Sequence, residues 1–250
     1  QNAAPSSFHE IMPSADGKKN VGKVISDNYE VVEGSWPKNK NEVVLVLDEN
    51  NSLSLTTVYE LGLKSASEYH NMMNQLNSGD DVKTDTKKID YSDVIDRTLK
   101  LLPTCDQYVK GDNGHWKYVG DDVDQINALI DSDKAINLKI VGVVKPVEDA
   151  DATPLSSGVG YTRALTNELV DRAESSEIVT EQQADKDHNV LNGMTFSPSD
   201  DVTKAQDARD YVASLGVSSK AQMAQNMMAA AGASGGDSQQ AAAMAQMSEQ

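Results

Sequence analysis

The chain has 250 residues and a mass of 27.0 kDa, enough for one large domain or two small ones. Its 39 acidic residues against 22 Lys and Arg give a formal net charge of −17. This surplus argues against nucleic acid and anionic membrane surfaces as partners, because both attract proteins through positive charge. The longest apolar runs, such as 43–47, are far shorter than the roughly 20 residues of a membrane-spanning helix.

The start of the sequence and its cysteine content bear on location. Residues 1–7 contain neither an initiator Met nor the apolar core of a signal peptide, so we expect a mature chain or an excised segment. The single Cys105 cannot form an internal disulfide. Such sparse use of cysteine is consistent with a large domain outside the cytoplasm that does not rely on disulfides.

The first part of the chain is predicted to alternate strands and helices. Residues 1–20, rich in Ala, Pro, Ser and Lys, are expected to be a flexible lead. The β-branched run EVVLVLD at 42–48 predicts a buried strand. A short helix is predicted over 55–61, ended by a glycine, and a second over 65–76, with capping-box spacing at its start. Residues 80–88 are expected to be a charged loop.

Turn signals and caps define the middle of the chain. The sequence GDNG at 111–114 is typical of a hairpin turn between two short strands. A helix capped by Asp121 or Asp122 is predicted next. The residues expected on its inward side are Val123, Ile126 and Ile130. The run LKIVGVVK at 138–145 predicts a second buried strand, and 148–160 are expected to be loop.

The last third is predicted to be helical. One helix begins near Thr162, a second is capped by Asp200, and a third begins at Ser218. The inward residues of the first two are expected to be Leu165, Leu169, Ala173, Ala205, Ala208, Val212 and Leu215. Residues 221–250 hold ten Ala, six Gln and five Met but no Leu, Ile, Val or aromatic residue, so two weak helices that need a partner are predicted there.

No residue pattern in the sequence predicts catalysis or metal binding. The four histidines lie far apart, whereas zinc needs three or four converging ligands. P-loop, nucleophile-elbow and HExxH motifs are not found in the sequence, and the acidic stretches lack the spacing of a calcium loop. We therefore expect a non-catalytic domain that carries no cofactor.

Two features are candidates for contact with a partner. Trp116, in the predicted hairpin, could stack against a ligand, although packing inside the protein is the commoner role of a tryptophan. Met223, Met227 and Met228 could form an adaptable binding face on a helix, with packing between helices as the alternative.

Four segments resemble a known family. In chain order they are YEVVEGSWPKNKNEVVLVLD at 29–48, YELGL at 59–63, LKIVGVVKP at 138–146 and GVGYTRALT at 158–166. Together they resemble the extracellular domain of Gram-positive FtsX-like (MacB-like) ABC transporter permeases, where similar segments occur in the same order after the first transmembrane helix. A weaker similarity covers 202–220.

The predicted elements and the resemblance together imply an α+β fold. A mixed α/β subdomain of the membrane-proximal type would occupy 21–165, and a largely helical second subdomain 166–250. The resemblance further implies a location at the extracellular face of the cell membrane and a cytoplasmic ABC ATPase as partner of the full-length permease. The membrane helices would lie outside this sequence. The outer partner would be a peptide, a lipoprotein or another protein.

Three classes of function compete. The first is an outer domain that couples cytoplasmic ATP hydrolysis to export, extraction or recognition of a substrate outside the membrane. The second is a secreted or wall-anchored binding or adhesion module. The third, a hydrolase, would require the separated histidines to converge with acidic residues. In the first two classes, the charge of −17 favours basic partners through long-range attraction.

Overall fold

The computed structural model describes residues 7–53, 55–62, 90–233 and the single positions 71, 74, 75 and 78. The chain divides into two compact units. The first consists of Gln1–Gln107 and Val119–Ser176, and the second of Tyr108–Tyr118 and Glu177–Gln250. Helices occur together with a mixed sheet, so the predicted α+β class is confirmed.

The described residues form eight strands and seven α helices. The strands are β1 (Phe8–Glu10), β2 (Tyr29–Gly34), β3 (Glu42–Val46), β4 (Thr98–Leu101), β5 (Tyr108–Lys110), β6 (Trp116–Tyr118), β7 (Ile136–Pro146) and β8 (Gly158–Tyr161). The helices are α1 (Lys23–Asn28), α2 (Leu55–Glu60), α3 (Val123–Ile130), α4 (Arg163–Ser175), α5 (Glu177–Ala184), α6 (Asp201–Ser214) and α7 (Val217–Ala233). Short 3-10 helices occupy Tyr91–Asp93 and Thr104–Gln107.

The first unit is built on a mixed six-stranded sheet. Its order is β1-β8-β3-β7-β2, and β4 also pairs with β7. The β1–β8 and β3–β7 pairs are parallel, and the other pairs are antiparallel. Strand β7 has 11 residues and pairs with β3 along one edge. Along its other edge, the first part of β7 pairs with β4 and the last part pairs with β2. Strand β7 therefore organises the sheet.

Apolar clusters bury both faces of this sheet. Val43 and Leu45 of β3 belong to one cluster, and Val44 and Val46 belong to the other. Because successive side chains of a strand point to opposite faces, the near-continuous apolar run is what a strand buried on both faces requires. The strands predicted at 42–48 and 138–145 are thus confirmed.

Helices α4 and α1 contribute to different clusters. The fully buried Leu165 of α4 belongs to the cluster of Val43, and Leu169 packs against it. The fully buried Ile25 of α1 belongs to the cluster of Val44. The inward positions predicted for the helix near Thr162 are confirmed at these two leucines.

Residues 8–11 differ from the predicted flexible lead. Phe8–Glu10 pairs with β8, the ring of Phe8 stacks on Tyr161 at 4.4 Å between centroids, and Ile11 is fully buried. The partner strand lies about 150 positions later, so local composition holds no sign of the pairing. Strand β8 itself forms inside the stretch predicted as loop. There Gly160 leaves room for Ile11, since an added Cβ would lie 3.1 Å from its side chain.

Helix α4 crosses the boundary predicted between residues 165 and 166. Its packing continues past that point through Leu169, and Arg172 near its end donates from Nε to Asp106 at 2.7 Å and from a second nitrogen to the carbonyl of Lys134 at 2.7 Å. These contacts keep the whole helix in the first unit. The hairpin of β5 and β6, in contrast, belongs to the second unit.

Caps and turns form largely where they are predicted. Asp122 accepts a hydrogen bond from the N–H of Gln125 at the start of α3, and Asp200 accepts one from Thr203 at the start of α6. The GDNG hairpin is confirmed by the β5–β6 pair. The predicted helix over 65–76, the loop over 80–88 and residues 234–250 lie largely or wholly outside the described residues.

Two predicted inward faces are confirmed only in part. On α3, Ile126 and Ile130 are half-buried as predicted, whereas Val123 is 71% exposed.

On α6, the predicted Val212 and Leu215 are half-buried, but Ala205 and Ala208 are exposed. Alanine buries little apolar area, so these two positions contribute little to deciding which side of the helix packs.

Candidate functional site

Trp116 belongs to a hydrogen-bonded network with Lys110 and Glu181 in the second unit. Its side chain is 8% exposed, and its indole Nε1–H donates to a carboxylate oxygen of Glu181 at 2.9 Å. Lys110, the cross-strand partner of Trp116 on β5, donates to both oxygens of Glu181 at 2.8 and 3.0 Å. Its ammonium nitrogen also lies 5.8 Å from the centre of the indole ring. Hydrogen bonds from Lys110 and Trp116 lower the pKa of Glu181.

This network joins the hairpin to α5. The backbone N–H of Trp116 donates to the carbonyl of Val190 at 3.0 Å and so joins the hairpin to the following loop as well. A stacking platform would need an exposed ring face, whereas this indole is nearly enclosed. The environment of Trp116 therefore agrees with the packing alternative.

The three candidate methionines lie on α7. Met223 is half-buried, whereas Met227 is 41% and Met228 67% exposed. The two outer methionines are accessible to a partner. Neither apolar cluster of the described residues joins them to Trp116, so the structure does not assemble the sequence candidates into one site.

The residues 185–196, called the 185–196 loop below, form a constrained turn that the sequence analysis missed. His188 and Thr195 form an antiparallel bridge. The N–H of Asn189 donates to Met194 at 2.9 Å, and the N–H of Phe196 donates to Asp187 at 2.9 Å. The loop is thus a small hairpin whose two arms are joined by backbone hydrogen bonds at two positions.

Side chains of two helices hold this loop in place. The side-chain oxygen of Gln182 on α5 accepts from the N–H of Val190 at 3.1 Å. The carboxylate of Asp207 on α6 accepts from the N–H of Thr195 at 2.9 Å. The loop nevertheless exposes two large apolar side chains, Leu191 at 41% and Phe196 at 53%. The available sequence signal was Phe196, one of only two Phe in the chain, in a stretch otherwise rich in Asn, Ser and Asp.

Metal binding and thiol chemistry each place requirements on the titratable groups outside this region, within the described part of the chain. No group of three or more His, Cys, Asp or Glu there could hold a metal ion. Burial and the neighbouring carboxylate of Asp106 raise the pKa of the Cys105 thiol, which disfavours the reactive thiolate. Burial lowers the pKa of His9.

Two surface cavities lie in the first unit. One, of about 310 Å³, is at the end of β3 and is lined in part by Asp48, Glu49 and Ser156. The other, of about 460 Å³, lies beside α1 and is lined in part by Asp16 and Lys19. Neither is lined by a histidine or cysteine, so neither brings a nucleophile together with a histidine base.

No helix in the described ranges combines the length and the apolar character that crossing a bilayer requires. Comparison of the chain with protein-family models, curated proteins and solved structures found no match in any of the three.

Proposed function

We propose that the chain is a non-catalytic extracellular domain of an FtsX/MacB-like ABC transporter permease. In this role it couples ATP hydrolysis by a cytoplasmic ATPase to export, extraction or recognition of a substrate or partner protein outside the membrane. The resemblance of four sequence segments suggests the family, and their location in the fold supports it.

The observation that carries the proposal is that three of the four resembling segments lie together. The segment 29–48 contains β2 and β3, 138–146 is most of β7, and 158–166 contains β8 and the start of α4. Strands β8, β3, β7 and β2 are neighbours in one sheet in that order. Short matches that arose by chance would have no reason to meet in one hydrogen-bonded core.

The contacts of β1 suit a domain that transmits movement. Glu10 of β1 accepts a hydrogen bond from Arg163 at 2.8 Å and another from the hydroxyl of Thr166, both on α4. Because β1 also pairs with β8, displacement of β1 would move the sheet and α4 together. Arg172 fixes the far end of the same helix to Asp106.

The first test is to sequence the gene on both sides of this segment together with its neighbour. The proposal expects an apolar helix before residue 1, further helices after residue 250, and an adjacent reading frame with an ATPase P-loop. A signal peptide followed by a wall anchor or a stop codon would overturn it in favour of a secreted or wall-anchored binding module.

A labelling experiment tests the location directly. In the full-length protein with Cys105→Ser, the variant Val123→Cys places a thiol at a position that is 71% exposed. A maleimide that cannot cross membranes should label it on intact cells. The matched control is Val143→Cys, which is fully buried and should stay unlabelled. Labelling of Val123→Cys only after permeabilisation would contradict the proposal.

A further inference from the structure

The 185–196 loop directs its apolar side chains to two different environments. Val190 and Met194 are half-buried, while Leu191 and Phe196 are exposed. The loop therefore has an inner set of contacts that fixes its shape and an outer pair that contacts nothing in the apolar clusters of the described residues. Two large apolar side chains exposed on one ordered loop are available to contact a partner.

The shape of the loop exists before any partner binds. Backbone hydrogen bonds close it at the levels of Asn189–Met194 and Asp187–Phe196, and Asp207 holds its second arm. Little conformational entropy remains to be lost on binding, which favours affinity. The hairpin places Leu191 in the turn and Phe196 in the arm that follows it.

The charge around the loop selects the partner. Residues 185–201 contain four aspartates and one lysine, and all five side chains are exposed: Asp185, Lys186, Asp187, Asp200 and Asp201. Although Lys204 pairs with Asp201 at 3.1 Å, the surface stays acidic. A second copy of this chain, with its own charge of −17, would be repelled. A segment with Lys or Arg beside its apolar residues is complementary.

We propose that the 185–196 loop is a docking surface for a basic amphipathic segment of another protein. Leu191 and Phe196 are its apolar anchors, and the flanking aspartates attract and orient the basic residues. The inference does not depend on the proposed function, because a permease domain and a secreted module could both use this surface.

The probe for the test is a 14-residue helical peptide of leucine and lysine only, added to the ¹⁵N-labelled 250-residue chain at 150 mM salt. We expect chemical shift changes centred on residues 185–201. The variant Leu191→Ser/Phe196→Ser should lower the affinity at least tenfold. Both substituted side chains are exposed, so the fold should persist, which the combined fluorescence of Trp36 and Trp116 reports. The matched control is Val123→Ser/Val217→Ser, whose valines are 71% and 87% exposed, and it should bind like the parent.

Charge is tested in the same titration. A peptide with glutamate in place of lysine should not bind, and Asp187→Asn/Asp201→Asn should weaken the leucine–lysine peptide several-fold. The inference is overturned if the serine variant binds like the parent, if the shift changes spread over other acidic surfaces, or if the glutamate peptide binds equally well. None of these results affects the labelling of intact cells, so the two proposals fail separately.

Discussion

Replacing Tyr29 by phenylalanine removes one buried hydroxyl that makes two hydrogen bonds across the first unit. Tyr29 is 2% exposed, and its hydroxyl donates to the carbonyl of Leu155 at 2.8 Å and accepts from the N–H of the same residue at 2.9 Å. Leu155 is 7% exposed, so both backbone groups would be left nearly without solvent. Each unpaired buried polar group costs roughly 1–3 kcal/mol. Partial access of water to Leu155 favours the lower end of this range for both its carbonyl and its N–H. We expect Tyr29→Phe to lower the free energy of unfolding by about 2 kcal/mol.

The assay is urea unfolding followed by tryptophan fluorescence in a Trp116→Phe background. Trp36 is then the only tryptophan, and it packs against the cluster that contains Tyr29. In thermal unfolding, a loss of 2 kcal/mol corresponds to about 4–8 °C. The control is Tyr161→Phe, which keeps the stack on Phe8 and should change stability little. Equal effects of the two substitutions would refute the assignment of the loss to the bonds with Leu155.

Three further predictions test the sheet and its titrating groups. Gly142→Ala should destabilise the first unit by about 3 kcal/mol in urea unfolding, because the added Cβ would lie 2.2 Å from the carbonyl oxygen of Ser35. The control Gly216→Ala adds a Cβ in open space and should leave the free energy of unfolding almost unchanged. Burial raises the pKa of Glu10, but its hydrogen bonds lower the pKa by more, so the folded state favours the ionised carboxylate. Stability should therefore fall as the pH drops below 4.5, and it should fall less in Glu10→Gln. Burial lowers the pKa of His9, so below pH 6.5 the unfolded chain binds a proton more readily than the folded chain, and stability should decrease. Unfolding measured at several pH values should show a weaker dependence of stability on pH in His9→Leu.

Elements with strong local signals could be predicted from the sequence. The apolar runs of β3 and β7 are long enough to be buried on both faces, and the GDNG turn fixes the hairpin of the second unit. The caps Asp122 and Asp200 make the hydrogen bonds expected of them. In each case the information lies within a few residues, which is the range over which propensity and capping act.

The features that were missed depend on distant residues. Strand β1 is polar and short, and its pairing partner β8 begins with Gly158, which suggests a turn when taken alone. Asp207 lies on the half-buried side of α6, and its hydrogen bond to Thr195 cannot be read from the helical pattern. The 185–196 loop is a case of the same kind, because the contacts that order it come from α5, α6 and β6.

The large negative charge contributes little to the stability of the fold. Most ion pairs of the described residues involve at least one largely exposed side chain, such as Lys23–Asp27 and Lys204–Asp201, and exposed pairs contribute only about 0–1 kcal/mol each. With 17 more acidic than basic residues, most of the surplus cannot be paired at all, and its mutual repulsion opposes the compact state. The same surplus raises the rate of encounter with basic partners. In the proposed docking, the acidic surplus would attract a basic partner over a distance, and Leu191 and Phe196 would hold it in contact.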